Sequence, residues 1–101
     1  MDVSASDAAA TYDRCFAALS HPVRRQIVIT LHFEGGQMGA GDIARLFEHS
    51  WPTTSRHLQV LEDAGLVTHE RQGRTRSYHL QRHPLQLASG WLGHITEGTI
   101  P

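Results

Sequence analysis

The sequence predicts a mainly α-helical fold with one small β-hairpin, about five helices plus two strands, in a single domain over residues 1–101. Three observations predict it. Apolar residues recur at helical spacing in Tyr12-Phe16-Leu19, Val23-Ile27-Leu31 and Thr54-Leu58-Leu61. Glycines break those runs at Gly35-Gly36, Gly65 and Gly73. Between Leu66 and Leu80 the helical period gives way to two short runs around Gln72-Gly73, the pattern of a hairpin.

In chain order, residues 1–10 (MDVSASDAAA) are small and polar and are expected to form a flexible tail. A first helix is expected over residues 8–19, with Cys15 inside it. Ser20-His21-Pro22 stops it and starts a second over 22–33, with Ser20 as the cap and Pro22 in the first turn. Val23, Ile27, Val28 and Leu31 mark its buried stripe. Arg24 and Arg25 read equally well as solvated or ion-paired charge and as phosphate contacts. A Gly-rich connector leads to Gly41 and to a third helix over 42–47, with Ile43, Leu46 and Phe47 inward.

Glu48-His49 makes a tight turn before Ser50, an N-cap residue type, and Pro52, which suits a first turn. The fourth helix runs over about 51–64 and stops at Ala64-Gly65. Strands follow over 66–71 and 74–80, joined by Gln72-Gly73. Pro84 enters a fifth helix reaching about residue 96, with Leu85, Ala88, Trp91, Leu92 and Ile95 as its apolar residues.

Helix three, turn and helix four make a helix-turn-helix, and the hairpin over 66–80 is a wing: together, a winged helix-turn-helix. If Thr54, Leu58 and Leu61 face inward, then Pro52, Ser55, Arg56 and Gln59 face solvent. Short polar groups and a guanidinium at a helix's N-terminal half suit base edges and phosphates in a major groove. Thr53, Ser55, Arg56 and Gln59 are therefore candidate DNA contacts on the recognition helix. Arg71, Arg74 and Arg76 cluster at the hairpin tip and suit phosphate or a narrow minor groove. His57 flanks the buried stripe and reads as a hydrogen-bonded structural residue rather than a base reader, and Trp51 as packing on helix three rather than touching a sugar.

The net charge is −1, so the chain as a whole is no polycation, but its charges are unevenly spread. Residues 1–50 hold four Arg and six acids, whereas residues 51–82 hold five Arg and three acids. Every basic residue is Arg, the better bidentate partner for phosphate and guanine, although a genome-wide composition bias explains the absence of Lys equally well. No apolar run is long enough to span a membrane and no signal pattern opens the chain, so a soluble, cytoplasmic protein is expected. One cysteine cannot form an intrachain disulfide. No Ser-His-Asp order, phosphate loop or metal-hydrolase motif argues for an enzyme.

The run Thr53-Thr54-Ser55-Arg56-His57-Leu58, then Val60 to Val67, then Gly73-Arg74-Thr75-Arg76 and Tyr78 resembles the ArsR-type winged-helix transcriptional repressors. Ala18 to Arg25 resembles that family's junction between its first two helices, and the resemblance covers roughly residues 12–95. Thr54 departs from it, since the family usually carries Val there; a threonine methyl can still pack, and its hydroxyl can bond a carbonyl one turn back. The resemblance implies a homodimer joined through the first and last helices, with Phe16, Leu85, Trp91, Leu92 and Ile95 as candidate interface residues. It further implies repression at a palindromic double-stranded DNA operator by occluding polymerase. A winged-helix protein-interaction module without DNA binding is the opposing class.

Many members of that family sense metals through thiolates on the third helix, or through His and carboxylates on the last. Residues 42–47 hold no cysteine, which argues against soft-metal chemistry. His83, His94 and Glu97 match the spacing of the last-helix site, where zinc or nickel would be the candidates, with His83 supplied by the partner subunit. Gln81 stands where the family places a further carboxylate, and His83 falls one position early counted from Tyr78. Scattered surface histidines are the competing reading, and no cofactor is otherwise required.

Overall fold

The computed structural model describes residues 3–100, and among these the order is α1 (Val3–Leu19), α2 (Pro22–Phe33), β1 (Gln37–Gly39), α3 (Ala40–Leu46), α4 (Trp51–Asp63), β2 (Val67–Gln72), β3 (Thr75–Leu80) and α5 (His83–Glu97). The strands form one antiparallel sheet in the order β1-β3-β2. α1 already runs from Val3, so most of the expected tail is helical. Its Ala8-Ala9-Ala10 segment loses no side-chain rotamer freedom on entering a helix.

The core is drawn from every element. Cys15 and Ala18 of α1, Ile27 and Leu31 of α2, Ile43 of α3, and Leu58 and Leu61 of α4 meet Leu66, Val67 and Tyr78 at the sheet. Helical spacing put Ile27, Leu31, Ile43, Leu58 and Leu61 on inward faces, but on α1 it marked Tyr12, Phe16 and Leu19, which are only partly buried, and passed over Cys15 and Ala18. Leu46 is the exception on α3: it is 57% exposed. The chain turns extended at Phe47, which swings the phenyl ring onto the core instead.

Three helix ends differ from expectation in how they are closed. His21, not Ser20, caps α2: its Nδ1 accepts from the Val23 N–H at 3.1 Å. Ser20 Oγ instead donates to the Ala17 carbonyl at 2.7 Å and closes the end of α1. α3 starts at Ala40, ahead of Asp42, because β1 delivers the chain directly into it. Ser50 caps α4 as expected, accepting from the Thr53 N–H. Gly65, at φ +75, ends that helix, and the Leu66 N–H reaches back to the Leu61 carbonyl at 2.9 Å.

The wing is three-stranded rather than two-stranded. β1 pairs with β3 through Gln37 opposite His79, Met38 opposite Tyr78 and Gly39 opposite Ser77. Three residues are too few to display a period of two, which hid this strand within the Gly-rich connector. The β2–β3 ladder ends at Gln72 opposite Thr75. The turn residues are therefore Gly73 and Arg74, one step later than expected. Gly73 has φ +64, the conformation needed at the first central position of a tight hairpin turn.

Thr54 is 1% exposed, and its hydroxyl has no hydrogen-bond partner among the described residues. The carbonyl one turn back, that of Ser50, takes the Thr54 N–H at 3.0 Å and nothing from the side chain. A buried unmade hydrogen bond costs on the order of 1–3 kcal/mol. Thr54→Val replaces the hydroxyl with a methyl of the same shape. The expected result is a gain of about 1 kcal/mol, seen as a higher urea midpoint at unchanged slope. A lower midpoint would mean that the hydroxyl is satisfied in solution.

Candidate nucleic-acid interface

Burial of Thr54, Leu58 and Leu61 fixes the rotation of α4. At about 100° per residue, Arg56 then lies about 200° from Thr54 and points straight out. Arg56 is exposed, and its guanidinium makes no ion pair or hydrogen bond among the described residues. The other recognition-helix candidates are less free. Ser55, about 100° from Thr54, is half-buried on the flank rather than facing solvent. The Thr53 hydroxyl accepts from Ser50 Oγ at 3.1 Å within the cap. Gln59 is exposed and donates to Asp63 Oδ1 at 2.9 Å.

On the wing, Arg71 and Arg76 are directly opposite each other in the ladder. Like charges facing across a strand pair repel, and no carboxylate among the described residues pairs with either. Both lie on the hairpin face that buries Val67 and Tyr78 further down. Arg74 occupies the turn itself. The structure thus gathers the three wing guanidiniums at one tip and leaves all three exposed. Nearby acids are otherwise engaged: Glu62 holds His69 at 2.7 Å and Glu70 holds His79 at 3.1 Å.

A cleft bordered by Arg45, Trp51, Arg74, Arg76 and Ser77 separates α3 and the start of α4 from the wing. Arg45 is paired with Asp42 on its own helix. Gln37 of β1 donates to Ser77 Oγ at 3.0 Å along this edge. Sequence reasoning missed the cleft because β1, which closes it, has no pattern of its own. Trp51 packs against the core, as expected.

Arg24 and Arg25 resolve to structural roles. Arg24 Nε donates to the Ala18 carbonyl and Arg25 donates to the Leu19 carbonyl at 2.7 Å. Both satisfy carbonyls that the end of α1 leaves open. Arg24 also approaches His57 Nδ1 at 3.4 Å, and the His21 and His57 rings lie 4.5 Å apart. A guanidinium only donates, so His57 Nδ1 keeps its lone pair and the ring is neutral. His57 is thus a hydrogen-bonded structural residue.

At the other end of the fold, Phe16 and Trp91 pack against each other with ring centroids 5.8 Å apart, and Tyr12 lies 6.3 Å from Trp91. These aromatic groups therefore join α1 to α5 within one chain. Leu85 is half-buried against the core. Leu92 and Ile95 remain 47% and 55% exposed. His83 opens α5 and His94 and Glu97 stand near its end, about 16 Å along the same helix. Within one chain these donors do not fit a metal, and the described residues bring no three His, Cys, Asp or Glu side chains together. His94 Nδ1 pairs with Thr99 Oγ1 at 2.9 Å, leaving Nε2 outward. Cys15 is sealed in the core, where burial pushes its thiol pKa up. No helix among the described residues is long and apolar enough to cross a membrane.

A helix-turn-helix domain family matches residues 19–70, from the end of α1 into β2. The transcriptional repressor SdpR of Bacillus subtilis strain 168 is 40% identical over 84 residues, covering 82% of this chain and 91% of that protein. A homologue of the cadmium resistance transcriptional regulatory protein CadC from Staphylococcus aureus is 33% identical over 85 residues, covering 83% and 69%. The crystal structure of an ArsR family transcriptional regulator matches with a TM-score of 0.76 at 28% identity, covering 86% of this chain and 88% of that one.

Burial pushes the His57 pKa down, and the neighbouring His21, Arg24, His49 and Arg56 charges push it the same way. The unfolded chain therefore binds a proton at this residue more readily than the fold does. Stability from neutral His57 is present above its unfolded value of about 6.5 and is lost as pH falls below it. Urea midpoints measured from pH 7.5 down to 5.5 are expected to fall for the wild type and to fall less for His57→Gln. Equal slopes in the two proteins would show that His57 is not squeezed between these charges.

Proposed function

The chain belongs to the ArsR family of helix-turn-helix transcriptional repressors, and we propose that it acts as a homodimer on a palindromic operator, with Arg56 reading a base edge and Arg71, Arg74 and Arg76 holding the backbone. It is a DNA-binding regulator and not an enzyme. The observation that carries the proposal is that Arg71 and Arg76 face each other on the wing, and that neither they nor the exposed Arg56 has an ion-pair partner among the described residues. Such repulsion is relieved when an anion arrives, and duplex phosphate is a regular array of anions. Thr53, Ser55 and Gln59 support Arg56 from the same helix by hydrogen bonds to phosphate or base edges.

The dimer joins two copies through α1 and α5, with Leu92 and Ile95 as the exposed apolar contacts and Phe16, Trp91 and Leu85 backing them. Two recognition helices related by a two-fold axis then read half-sites about 34–36 Å apart. A dimer seated on a promoter in the cytoplasm blocks polymerase sterically. A zinc or nickel response is the second reading, favoured by the outward His94 Nε2 one turn from exposed Glu97. His83 of the partner subunit would complete that donor set. Calorimetry with each ion on wild type and His94→Ala decides it, and identical isotherms remove the metal from the account.

Arg56→Ala is expected to cost about 1–3 kcal/mol of operator affinity and to relax preference at one base pair per half-site. Binding titrations on operator variants measure both, and an unchanged base preference would leave Arg56 a mere surface charge. Arg74→Ala is expected to weaken all sequences alike. Each lost phosphate contact flattens the plot of log K against log salt by roughly 0.9, so a two-fold dimer gives about 1.8. A change of about 0.9 would indicate a monomer on DNA, and no change would clear the wing tip of phosphate contact.

A further inference from the structure

Outside the residues assigned to DNA, the largest remaining groove described here lies on the far side of α2. It runs between α2 and the junction of β3 with α5 and has a volume of about 640 Å³, within the range of small-molecule sites. Val28, Ile29, Leu80 and Leu85 give it an apolar floor. Ile29 is 43% exposed there, on the side of α2 away from the buried Ile27 and Leu31. Arg25, Arg82 and His32 stand at the rim, and no carboxylate lines the groove.

We propose that this groove binds a monocarboxylate with an apolar tail, and that this ligand is the effector of the regulator. The chemistry of the rim selects the head group. Arg25 uses one nitrogen on the Leu19 carbonyl, and Arg82 uses NH1 on His32 Nδ1 at 3.1 Å. Each guanidinium is thereby held in position with further N–H groups to spare, and a planar fork of donors matches a carboxylate. The floor selects the tail, since only an apolar group gains by covering Val28 and Ile29. An inorganic anion would leave that floor wet, and a neutral hydrocarbon would leave two guanidiniums unanswered.

The groove also has a route to the DNA-binding elements. Leu80 is the last residue of wing strand β3, and its N–H donates to the Gly36 carbonyl at 2.8 Å. Gln81 N–H donates to the Leu66 carbonyl at 2.8 Å, beside the start of β2. An occupant pressing on Leu80 and Leu85 therefore bears on the root of the wing and on the start of α5 together. If it favours one setting of that junction, it changes operator affinity by the factor by which DNA changes its own. This consequence rests on the repressor reading, whereas binding of the carboxylate does not.

The test uses the full chain with octanoate and octanol as probes. Calorimetry is expected to give saturable binding of octanoate, one per chain, and binding of octanol weaker by about tenfold or more, the worth of a charge-assisted hydrogen bond. Arg82→Gln should weaken octanoate by a similar factor and leave octanol unchanged. Ile29→Trp, made at an exposed position, should fill the floor and abolish both. Saturating octanoate should shift operator affinity of the wild type but not of Ile29→Trp. Octanol binding as well as octanoate, no saturable binding, or bound octanoate without effect on operator affinity would each overturn the proposal. So would weaker operator binding by Arg82→Gln without any octanoate, which would make the rim a DNA contact. A wild-type chain that binds octanoate through Arg82 but no DNA would overturn the repressor reading and the effector role with it, leaving the carboxylate site intact.

Discussion

Arg24 joins three helices through one side chain. It stands in α2, donates to the Ala18 carbonyl at the end of α1, and approaches His57 on α4. Open carbonyls at a helix end must be satisfied, and a guanidinium with five donors can satisfy one while orienting a ring with another. Arg25 and Ser20 close the neighbouring Leu19 and Ala17 carbonyls. The recognition helix is thus held at its flank by the same contact that finishes α1. His21 caps α2 and lies against His57, so the start of α2 and the flank of α4 meet through one pair of rings.

The wing, proposed above to meet DNA, is built on the opposite principle. Where the α1–α2–α4 junction answers each polar group, the wing tip leaves its guanidiniums unanswered. Arg71 and Arg76 face each other with no acid pairing with either among the described residues, while Glu62 and Glu70 are held by histidines. Such an arrangement costs stability in the free protein and is repaid only by an anionic partner. A chain with net charge −1 can therefore present a strongly cationic edge, because its acids are concentrated elsewhere or already paired. Whole-chain charge says little about the local field that a duplex meets.

Much of this was legible in the residues. The Thr54-Leu58-Leu61 spacing set the rotation of α4, and with it the outward position of Arg56. Ser50, Pro52 and Gly65 bounded that helix through local chemistry that acts within a few residues. Misread positions share a different cause. Ser55 shifted to the flank because a solvent face is narrower than all positions off the buried stripe. β1 was invisible because its pairing with β3 spans some forty residues and leaves no local period. Arg24 and Arg25 could not be assigned, since their acceptors are main-chain carbonyls, which every residue carries.

By itself, then, the sequence determined the helices, the hairpin, the buried stripes and the family, because periodicity, caps and turn residues act over short chain distances. Tertiary structure alone decided which polar groups are free. Among the described residues Arg56 and the wing arginines are unengaged, Gln59 is tied to Asp63, and Arg24 is spent on α1 and α4. It also decided that Trp91 turns inward to Phe16, and that α2 and the β3–α5 junction enclose a groove. The physical reason is that a hydrogen bond or an aromatic contact depends on the approach of two segments, and only the closed fold sets that distance.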